Sequence, residues 1–587
     1  MSTNATLAEL ISALWGRVED LEGQLFALQG NVTSVRAVVE QASDDTALES
    51  LAADMDTFWL MWGGILVVSM QAGFSLVEVG SVSVKHTKNL LIKNMLDLCV
   101  ASVAWWICGY GIAYGSTAGD SKRVYGKDSF FLNSELFHEP NGSFTNSHGY
   151  QYAGWFFSWT FSGAAATIAS GAVGERITTA GYFAFATLMA SFIYPVVVHW
   201  GWSADGWASA WSTDSPNLLL GCGTIDFAGS GVVHTTGAAA GLTLLVFLGP
   251  RIGRYRKNEV NPMPKQSVTM QVLGTFILLV GWYGFNGVST LYITGLSHVA
   301  AKSMVTTTLA ASAGGIGTAI VGMILFHHTS PEEINNGVLS GLVSITAGCS
   351  VVESEAAFIV GAVAACIYMG TSRLMIKLKV DDMVDAVAVH GANGIWGMIA
   401  AALFATSENY AISFYADRAE KCCGLFYGCG FHQLLANLLF VSVVVFWVTG
   451  CTSVLCILLK YLQILRIRSA IELGGTDTFM HGGEEVPEYV HELVKKAQRW
   501  AEKGYDSVDT RGSQKRRSIS LGEDEGRFNR SVPKRGISRH ESLIRTSKRE
   551  QRTSDPNRST ISHTPASEAL NSPGNLVGDT TQIGDTS

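Results

Sequence analysis

Eleven apolar stretches, each long enough to cross a membrane, dominate this chain and restrict the folds open to it. A helix needs about 17–25 residues to cross about 30 Å of hydrocarbon. The mean hydropathy is +0.23, 48% of the residues are hydrophobic and only 15% are charged, which excludes an ordinary soluble protein of 587 residues. We therefore predict an all-α polytopic membrane protein with eleven transmembrane helices. The predicted spans are Thr57–Val82, Met95–Gly115, Tyr152–Val173, Gly181–Trp200, Phe227–Leu248, Ser267–Ser289, Met304–Phe326, Ile334–Ser350, Glu355–Ile376, Ala386–Phe404 and Gln433–Tyr461.

Basic residues between the stretches predict the orientation of the chain, because cytoplasmic loops are enriched in Lys and Arg. They cluster in the first, fifth and ninth connections and after the last span: Lys85, Lys88 and Lys93; Arg251, Arg254, Arg256, Lys257 and Lys265; Arg373, Lys377 and Lys379; Lys460, Arg466 and Arg468. The second connection, with Lys122, Arg123 and Lys127, is an exception. The alternation predicts an N-terminus outside and a C-terminus in the cytoplasm. It also supports the eighth stretch, which Asn335 and Asn336 make less apolar.

Two kinds of residue are typical of an exposed outer face. Asn-x-Ser/Thr sequences in the segments that we predict to lie outside indicate N-glycosylation at Asn4, Asn31 and Asn141. Cys422, Cys423 and Cys429 share one predicted outer loop, and Cys222 lies in another. These cysteines are candidates for an extracellular disulfide, but the sequence leaves their pairing open.

The first fifty residues contain a sustained heptad. Apolar residues alternate at spacings of four and three, which predicts an extracellular coiled-coil helix: Leu7, Ile11, Leu14, Val18, Leu21, Leu25, Leu28, Val32, Val35 and Val39. The alternative is a single amphipathic helix lying on the membrane. Gly16, Gly23 and Gly30 each weaken the helix by ~1 kcal/mol, so we expect association to stabilise it. Beta-branched residues at one core position with leucine at the other favour a dimer, so this segment does not decide the oligomer number.

The end of the chain has a different composition. Residues 501–587 are rich in Ser, Arg, Lys and Glu, and they lack the apolar side chains that would form a core, so we predict a disordered cytoplasmic tail. Arg-x-x-Ser sequences make Ser520, Ser538 and Ser542 candidate phosphorylation sites for a basic-directed kinase. The alternative is a solvated linker without regulatory modification.

Two aspartate–histidine pairs with the same spacing lie at the predicted membrane spans. Asp226 precedes His234 by eight residues, and Asp382 precedes His390 by eight. An ionisable side chain at the centre of a membrane helix costs about 2.5–3.5 kcal/mol, so such a residue indicates function. The fifth and tenth spans run in opposite directions, as in inverted repeats whose sites lie near the membrane midplane. We predict that the two histidines face each other across a pore and that one ring donates to the other. The alternatives are two unrelated core histidines, or a zinc site that lacks its third and fourth ligands.

Eight motifs stand between Phe58 and Gly483: GFSLVEVGSVSVKHTKNLLIKNMLD, ATIASGAVGERI, YPVVVHWGWSADGWAS, IDFAGSGVVH, GWYGFNGVS, ITAG, VHGANGIWG and ELGGTDTFMHGG. Their order resembles that of the ammonium transporter family (Amt/Mep/Rh), and of its eukaryotic Amt branch in particular. The resemblance implies a homotrimer whose subunits each contain a narrow hydrophobic pore between two inverted five-helix halves. It assigns residues 57–463 to the eleven-span transporter domain and residues 464–500 to a cytoplasmic regulatory segment.

The resemblance also implies roles for individual residues. It places substrate recruitment at Trp202, Ser289 and Asp226, a gate at Phe161 and Phe285, and the pore at His234, His390, Trp282 and Thr346. An indole face attracts a cation, and a serine hydroxyl accepts a hydrogen bond from N–H. For each phenylalanine, simple core packing is the alternative. We expect Asp226 to hold the recruitment site and to cap its helix, and Asp382 to anchor a neighbouring loop. Glu78, Asn94 and Asp97 are expected to satisfy hydrogen bonds between helices.

The segment Glu472–Gly483 resembles the regulatory stretch with which family members contact a neighbouring subunit. Its matching residues are Gly474, Gly475, Asp477 and His481. The segment departs from the family pattern, because Thr476 replaces a methionine and Phe479 stands where many plant members have a phosphorylatable threonine. A plant-type switch is therefore not expected at Phe479, although Thr478 lies beside it.

Together these features predict an electrogenic ammonium transporter, not an enzyme, without cofactor, metal or nucleic-acid partner. Ammonium resembles potassium in size and charge, but only ammonium can release a proton, and an apolar pore favours the neutral form of an amine. One alternative is a neutral ammonia or carbon dioxide channel of the Rhesus type, against which Trp202 and the sequence DFAGSGVVH argue. Another is an ammonium sensor that signals through the tail. The plasma membrane is the expected location.

Overall fold

The structure, a computed structural model, describes residues 7–42, 45–117, 124–137, 146–213, 218–256 and 259–481, together with residue 492. The chain divides into two units, Met1–Ser507 and Val508–Ser587, and every described residue belongs to the first. Several predicted features lie outside the described residues: Asn4, Asn141, Ser520, Ser538, Ser542 and the predicted tail 501–587. The described backbone includes Asn31 but not the position of its side chain.

Helices make up nearly all of the regular structure in the described part of the chain. The α-helices are α1 (Leu7–Ala42), α2 (Asp45–Ser81), α3 (Thr87–Ala104), α4 (Tyr110–Tyr114), α5 (Asn146–Val173), α6 (Thr179–Leu188), α7 (Tyr194–Trp202), α8 (Thr236–Leu248), α9 (Val268–Trp282), α10 (Ser297–Phe326), α11 (Pro331–Ile345), α12 (Ser354–Lys377), α13 (Asn393–Phe404), α14 (Ser407–Ser413), α15 (Ala419–Cys422), α16 (His432–Tyr461), α17 (Ser469–Gly474) and α18 (Thr476–Met480). Strands β1 (Tyr255–Arg256) and β2 (Glu259–Val260) form a short antiparallel hairpin, in which Tyr255 pairs with Val260.

Nine helical segments in the described residues are long and apolar enough to cross a membrane. They are Leu48–Ser81, Val84–Tyr114, Thr179–Trp202, Ser230–Leu248, Val268–Thr290, Ser297–Phe326, Ser354–Lys377, Val387–Phe404 and His432–Tyr461. The other two predicted spans coincide with α5 and α11. Helix α11 is only 15 residues long and buries polar side chains, including Asn336 and Ser340, against its neighbours. The count of eleven spans, their orientation and their inverted repeat therefore stay predictions.

Five π-helical turns interrupt or extend the long helices within the described residues: Trp105–Gly109, Met189–Ile193, Ser230–Thr235, Tyr283–Gly287 and Val387–Ala392. Such turns are rare and occur frequently at functional sites, since the extra residue shifts side chains around the helix axis. His234 lies in the third turn, Phe285 in the fourth and His390 in the fifth. The backbone is thus irregular where the candidate residues lie.

Glycines allow the long helices to approach closely. Helix α2 packs against α5 and α9, and α10 packs against α11 and α12. Where α2 crosses α9, a Cβ atom on Gly73 would lie 3.0 Å from the carbonyl oxygen of Gly274, and one on Gly274 would lie 2.6 Å from that of Gly73. Membrane helices commonly associate through such small residues, because apolar side chains gain little from leaving lipid.

A buried group of charges joins three connections on the side of the molecule that carries the basic loops. Asp381 accepts from Arg251 Nε at 2.8 Å and from Arg176 Nη1 at 3.3 Å, and Arg251 Nη1 lies 3.2 Å from Glu175 Oε2. Burial alone would raise the pKa of Asp381, but the hydrogen bonds and charge of Arg251, with the charge of Arg176, hold it at about 2. This cluster ties the end of α5 to the segments that follow α8 and α12.

Two disulfides join cysteines of the loops around Cys222 and Cys422. Cys222 is bonded to Cys422, and Cys423 is bonded to Cys429, which resolves the pairing that the sequence left open. The first bond connects loops that are 200 residues apart, while the second closes a short loop before α16. Both bonds lie in segments that are predicted to be extracellular, where disulfides persist.

The N-terminal heptad lies in one continuous helix, α1 (Leu7–Ala42), and its coiled-coil character stays a prediction. Its apolar heptad side chains with described positions are exposed: Leu14, Val18, Leu21, Leu25 and Leu28. Helix α2 begins at Asp45, twelve residues before the predicted span, so the helix extends on its N-terminal side beyond the apolar stretch. The association of α1 with other copies stays a prediction.

Candidate functional site

The two histidines of the repeated motif meet in the interior, although 156 residues separate them. Their Nδ1 atoms lie 3.2 Å apart, within hydrogen-bond distance, and their ring centroids are separated by 5.2 Å. His234 is fully buried and His390 is 5% exposed. A neutral imidazole has one N–H, so a hydrogen bond between the Nδ1 atoms requires one ring to carry its proton there and the other to leave that nitrogen free.

Aromatic rings hold His234 in place. The ring of Trp282 stacks on it at a centroid distance of 5.1 Å, and that of Phe285 stacks at 5.4 Å. Trp282 Nε1 donates to Thr346 Oγ1 at 3.0 Å, and this hydroxyl donates to the Leu342 carbonyl. His234 Nε2 has no hydrogen-bond partner within the described part of the chain. This nitrogen is therefore available to a small polar molecule.

Phe161 and Phe285 form a closely packed pair of tilted rings between Trp202 and His234. Their ring centroids lie 4.1 Å apart, and the rings of Phe161 and Trp202 meet edge to face at a centroid distance of 5.8 Å. Both phenylalanines are buried, with 2% and 0% exposure. Because their rings touch, no hydrated ion fits between them in this conformation.

The three predicted recruitment residues border this phenylalanine pair in different ways. Trp202 is partly exposed, and its Nε1 donates to the main-chain carbonyl of Asp226 at 2.7 Å. Ser289 donates to the carbonyl of Phe285 at 2.6 Å, which leaves its oxygen free to accept. The carboxylate of Asp226 accepts hydrogen bonds from backbone amides.

The carboxylates of Asp226 and Asp382 cap the two π-helical turns that carry the histidines. Asp226 accepts from the amides of Gly229, Gly231 and Val232 at 2.8–3.0 Å. Asp382 accepts from the amide of Val387 at 2.8 Å. Carboxylates at such positions satisfy N–H groups that have no partner within the helix. The equal Asp–His spacing of the two motifs thus reflects the same arrangement, in which the aspartate accepts from backbone amides of the turn that carries the histidine.

A small cavity lies beside His390, next to Phe74, whose ring centroid is 6.2 Å from that of the histidine. Its volume is about 20 Å³, and its polar lining consists of Glu78, Thr167, Asn336 and His390. This is room for about one water molecule. The ring contacts thus run from Phe161 through Phe285 and His234 to His390, and the cavity adjoins the last of these residues.

A larger cavity of about 450 Å³ opens among the basic loops. Its lining includes Arg251, Lys265, Glu332, Arg373 and Asp385. The Asp385 carboxylate accepts from the Tyr368 hydroxyl and from the Ser372 hydroxyl, both at 3.1 Å. This vestibule contains charges of both signs and is wide enough for hydrated ions.

The regulatory stretch docks on the connection between α2 and α3 of its own chain. The Asp477 carboxylate accepts from the amides of Lys88 and Asn89, both at 2.9 Å, and His481 Nε2 lies 3.0 Å from Asn89 Oδ1. Gly474 ends α17, and Gly475 adopts a φ of +106°, which favours glycine. The expected contact with a neighbouring subunit stays a prediction.

Sequence reasoning missed several neighbours of these residues. Thr476, which replaces the family's methionine, is hydrogen-bonded to His86 Nδ1 through both its hydroxyl and its amide, at 2.9 Å and 3.2 Å. Phe74 stands one helical turn before Glu78, so a helical wheel of the first span places both on one face.

Among the described residues, no group of three or more His, Cys, Asp or Glu side chains is arranged to hold a metal ion.

The chain is similar to proteins of known name. The model of the Ammonium Transporter Family matches residues 58–486. "Ammonium transporter 1 member 1" of Arabidopsis thaliana is 39% identical over 414 residues, which are 69% of this chain and 80% of the relative. "Ammonium transporter 1 member 3" of Solanum lycopersicum is 36% identical over 453 residues, which are 75% of this chain and 95% of the relative.

Solved structures share the fold. A structure named "Sensor Amt Protein" is 28% identical with a TM-score of 0.65, covering 74% of this chain and all of that one. Candida albicans Mep2 is 25% identical with a TM-score of 0.62, covering 74% of this chain and 92% of that one. With its long apolar helices, the protein is a multi-pass membrane protein. Since the family model covers most of the chain and relatives above 30% identity cover more than two thirds of it, the chain belongs to the ammonium transporter family.

Proposed function

We propose that this protein is a transmembrane ammonium transporter that recruits ammonium, removes its proton and conducts ammonia past His234 and His390. The observation that carries the proposal is the buried hydrogen bond between these two rings, next to the closely packed phenylalanine pair. The curated plant relatives, which are named ammonium transporters, support the choice of substrate.

Recruitment takes place at Trp202 and Ser289. The face of an indole ring attracts a cation by about 0.5–2 kcal/mol, and the Ser289 oxygen accepts from N–H. Asp226 acts as a positioning residue, because its carboxylate is occupied by three backbone amides and its carbonyl holds the Trp202 indole. Substitution of Asp226 therefore disturbs both Trp202 and the His234 turn.

Selection takes place at Phe161 and Phe285. The buried rings offer no oxygen ligands to replace the water shell of an ion, so a permanent cation meets a large desolvation cost there. Ammonium avoids this cost by releasing its proton, which potassium cannot do. Ammonia then passes when the rings move apart, and it exchanges hydrogen bonds with the imidazoles, which both donate and accept.

Transport is electrogenic in this proposal, because the released proton crosses separately in the same direction. Ammonium-evoked current in oocytes that express the protein, recorded together with uptake of labelled nitrogen, tests this. Current with uptake supports the proposal, whereas uptake without current supports a neutral channel of the Rhesus type.

In this proposal the protein acts as a homotrimer in the plasma membrane, and its cytoplasmic tail is accessible to kinases.

An ammonium sensor is a second candidate, which the similarity to "Sensor Amt Protein" supports. The tail stretch contacts the first turn of α3 through Asp477, so a change in the transporter core would reach the C-terminal segment. A protein that reaches the cell surface in normal amount, yet carries neither current nor labelled nitrogen, would favour the sensor.

A further inference from the structure

Glu78 is a buried carboxylate that the transport mechanism does not use. It lies in α2 with 2% exposure, and its Oε1 accepts from the Ser170 hydroxyl. Its Oε2 has no hydrogen-bond donor at normal distance within the described chain, although the Asn94 amide is also near the carboxylate. A purely structural carboxylate would have both oxygens satisfied, because a buried polar atom without a partner is costly.

Glu78 and His390 line the same cavity of about 20 Å³. One water fits there and is able to bridge the carboxylate to the imidazole. The other polar lining residues, Thr167 and Asn336, carry no charge. Glu78 is thus the carboxylate in this cavity, which His390 lines but His234 and the phenylalanine pair do not.

A row of polar groups continues from this cavity to the vestibule. Asn336 also lines a second cavity of about 10 Å³, together with Ser81, Gln271 and Glu332. Glu332 in turn lines the vestibule of about 450 Å³ among the basic loops. Small shifts would join these spaces, since the second is only slightly below the size of one water.

Two other buried ionisable groups nearby, Lys93 and Asp97, do not line the cavity beside His390. Lys93 Nζ donates to the carbonyls of Gly174 and Ile177 at 3.1 Å and 2.9 Å. Asp97 Oδ2 accepts from the Thr167 hydroxyl at 2.8 Å, and its Oδ1 has no partner among the described residues, but the side chain does not line the His390 cavity. Neither side chain is placed to exchange a proton with His390.

We propose that Glu78 takes up the proton that ammonium releases and passes it toward the vestibule. This inference rests on the proposed function. When the rings of Phe161 and Phe285 move apart, the proton that ammonium has released passes to His234 Nε2, while the Nδ1 proton of His234 moves to Nδ1 of His390. The Nε2 proton of His390 moves through the cavity water to Glu78 Oε2. Both histidines end neutral with their shared hydrogen bond reversed, and Glu78, now a carboxylic acid, releases its proton to water on the vestibule side.

Glu78→Gln tests this step, because glutamine keeps the size and the acceptor for Ser170 but carries no exchangeable acid. Current and labelled nitrogen uptake are measured in the same oocytes, with the amount of protein at the surface. The charge moved per nitrogen is expected to fall about 10-fold or more, in the range for loss of a proton-transfer group. Asp97→Asn, which removes a buried carboxylate outside the cavity, is expected to leave the ratio unchanged.

Asn336→Leu is the second variant, since it replaces the polar residue shared by the two small cavities with an apolar one of similar size. It is expected to lower the same ratio even if Glu78→Gln fails to reach the surface. An unchanged ratio in either variant, with a wild-type protein that moves charge, overturns the role of Glu78 alone. Nitrogen uptake without charge in the wild type overturns the electrogenic mechanism together with this inference, and absence of uptake contradicts the transporter proposal itself.

Discussion

The Nδ1 atoms of His234 and His390 lie 3.2 Å apart, and each ring is carried by a π-helical turn that an aspartate caps. Asp226 caps one turn and Asp382 the other. Each capped turn therefore fixes the backbone from which its histidine projects, and at His234 the stacked rings of Trp282 and Phe285 add contacts to the imidazole itself. Two separate segments of the chain thus use the same structure, an aspartate-capped π-helical turn, to form one hydrogen-bonded histidine pair.

Replacing both His234 and His390 with alanine is expected to lower ammonium-evoked current by about 10-fold or more, because both proton-transfer groups are lost. The enlarged apolar space is expected to admit potassium. Current is recorded in ammonium and in potassium at equal surface expression. His298→Ala, an exposed histidine outside the passage, serves as control. Unchanged selectivity in the double variant would contradict the twin-histidine mechanism.

Phe161→Ala is expected to produce a potassium leak, because it removes one of the two rings that close the passage. The variant also leaves a cavity and is expected to lower stability by about 3–5 kcal/mol. Phe137→Ala makes a comparable cavity at a fully buried position away from this pair, so it separates loss of stability from loss of the gate. The measurement is potassium current in the absence of ammonium. A leak of equal size in both variants would argue against a gate at Phe161.

Asp381→Asn is expected to destabilise the protein by about 3–5 kcal/mol, because Arg176 would keep a buried charge without its carboxylate partner and Arg251 would keep only Glu175. The pKa of Asp381 is about 2 in the folded protein, below the value of about 3.9 for a free aspartate. Its contribution is therefore complete above pH 4 and is lost as the pH falls toward 2. Thermal unfolding in detergent between pH 2 and pH 7 is the measurement. We expect the gap between variant and wild type to narrow at the acid end, and a constant gap would be evidence against the ionised cluster.

Asp477→Asn is expected to weaken docking of the tail stretch by about 1 kcal/mol, as the loss of a helix-capping carboxylate does. Hydrogen exchange at the amides of Lys88 and Asn89, which Asp477 accepts from, is expected to become faster. Asp417→Asn changes an exposed aspartate away from this contact and is expected to have no effect there. Equal protection in the two variants would show that the cap does not hold the tail.

Deletion of residues 1–42 is expected to loosen the oligomer without changing selectivity, because α1 exposes leucines that gain about 1.5–3 kcal/mol each on burial. Cross-linking after dilution in detergent reports the oligomeric state. Gly23→Ala is the matched opposite change: its Cβ meets open space, and alanine strengthens the helix by ~1 kcal/mol. A change in ammonium selectivity on deletion would show that α1 acts on the pore as well.

The sequence by itself indicates that the chain is a membrane protein and where most of its long helices lie. Hydrocarbon requires long apolar runs whose backbone is satisfied within a helix, so nine of the predicted spans are recognised from hydropathy, while those at α5 and α11 are not. The heptad of α1 and the equal Asp–His spacings are also local patterns. The weakest span was α11, since its polar side chains are buried against other helices and hydropathy does not register such burial.

The tertiary structure alone decided which distant groups meet. Periodicity shows which face of a helix is apolar, but it does not show what covers that face. The hydrogen bond between His86 and Thr476, the disulfide between Cys222 and Cys422, and the cavity shared by Glu78 and His390 each join segments hundreds of residues apart. Such contacts depend on how the helices cross, and that depends on the packing of the whole bundle rather than on any one segment.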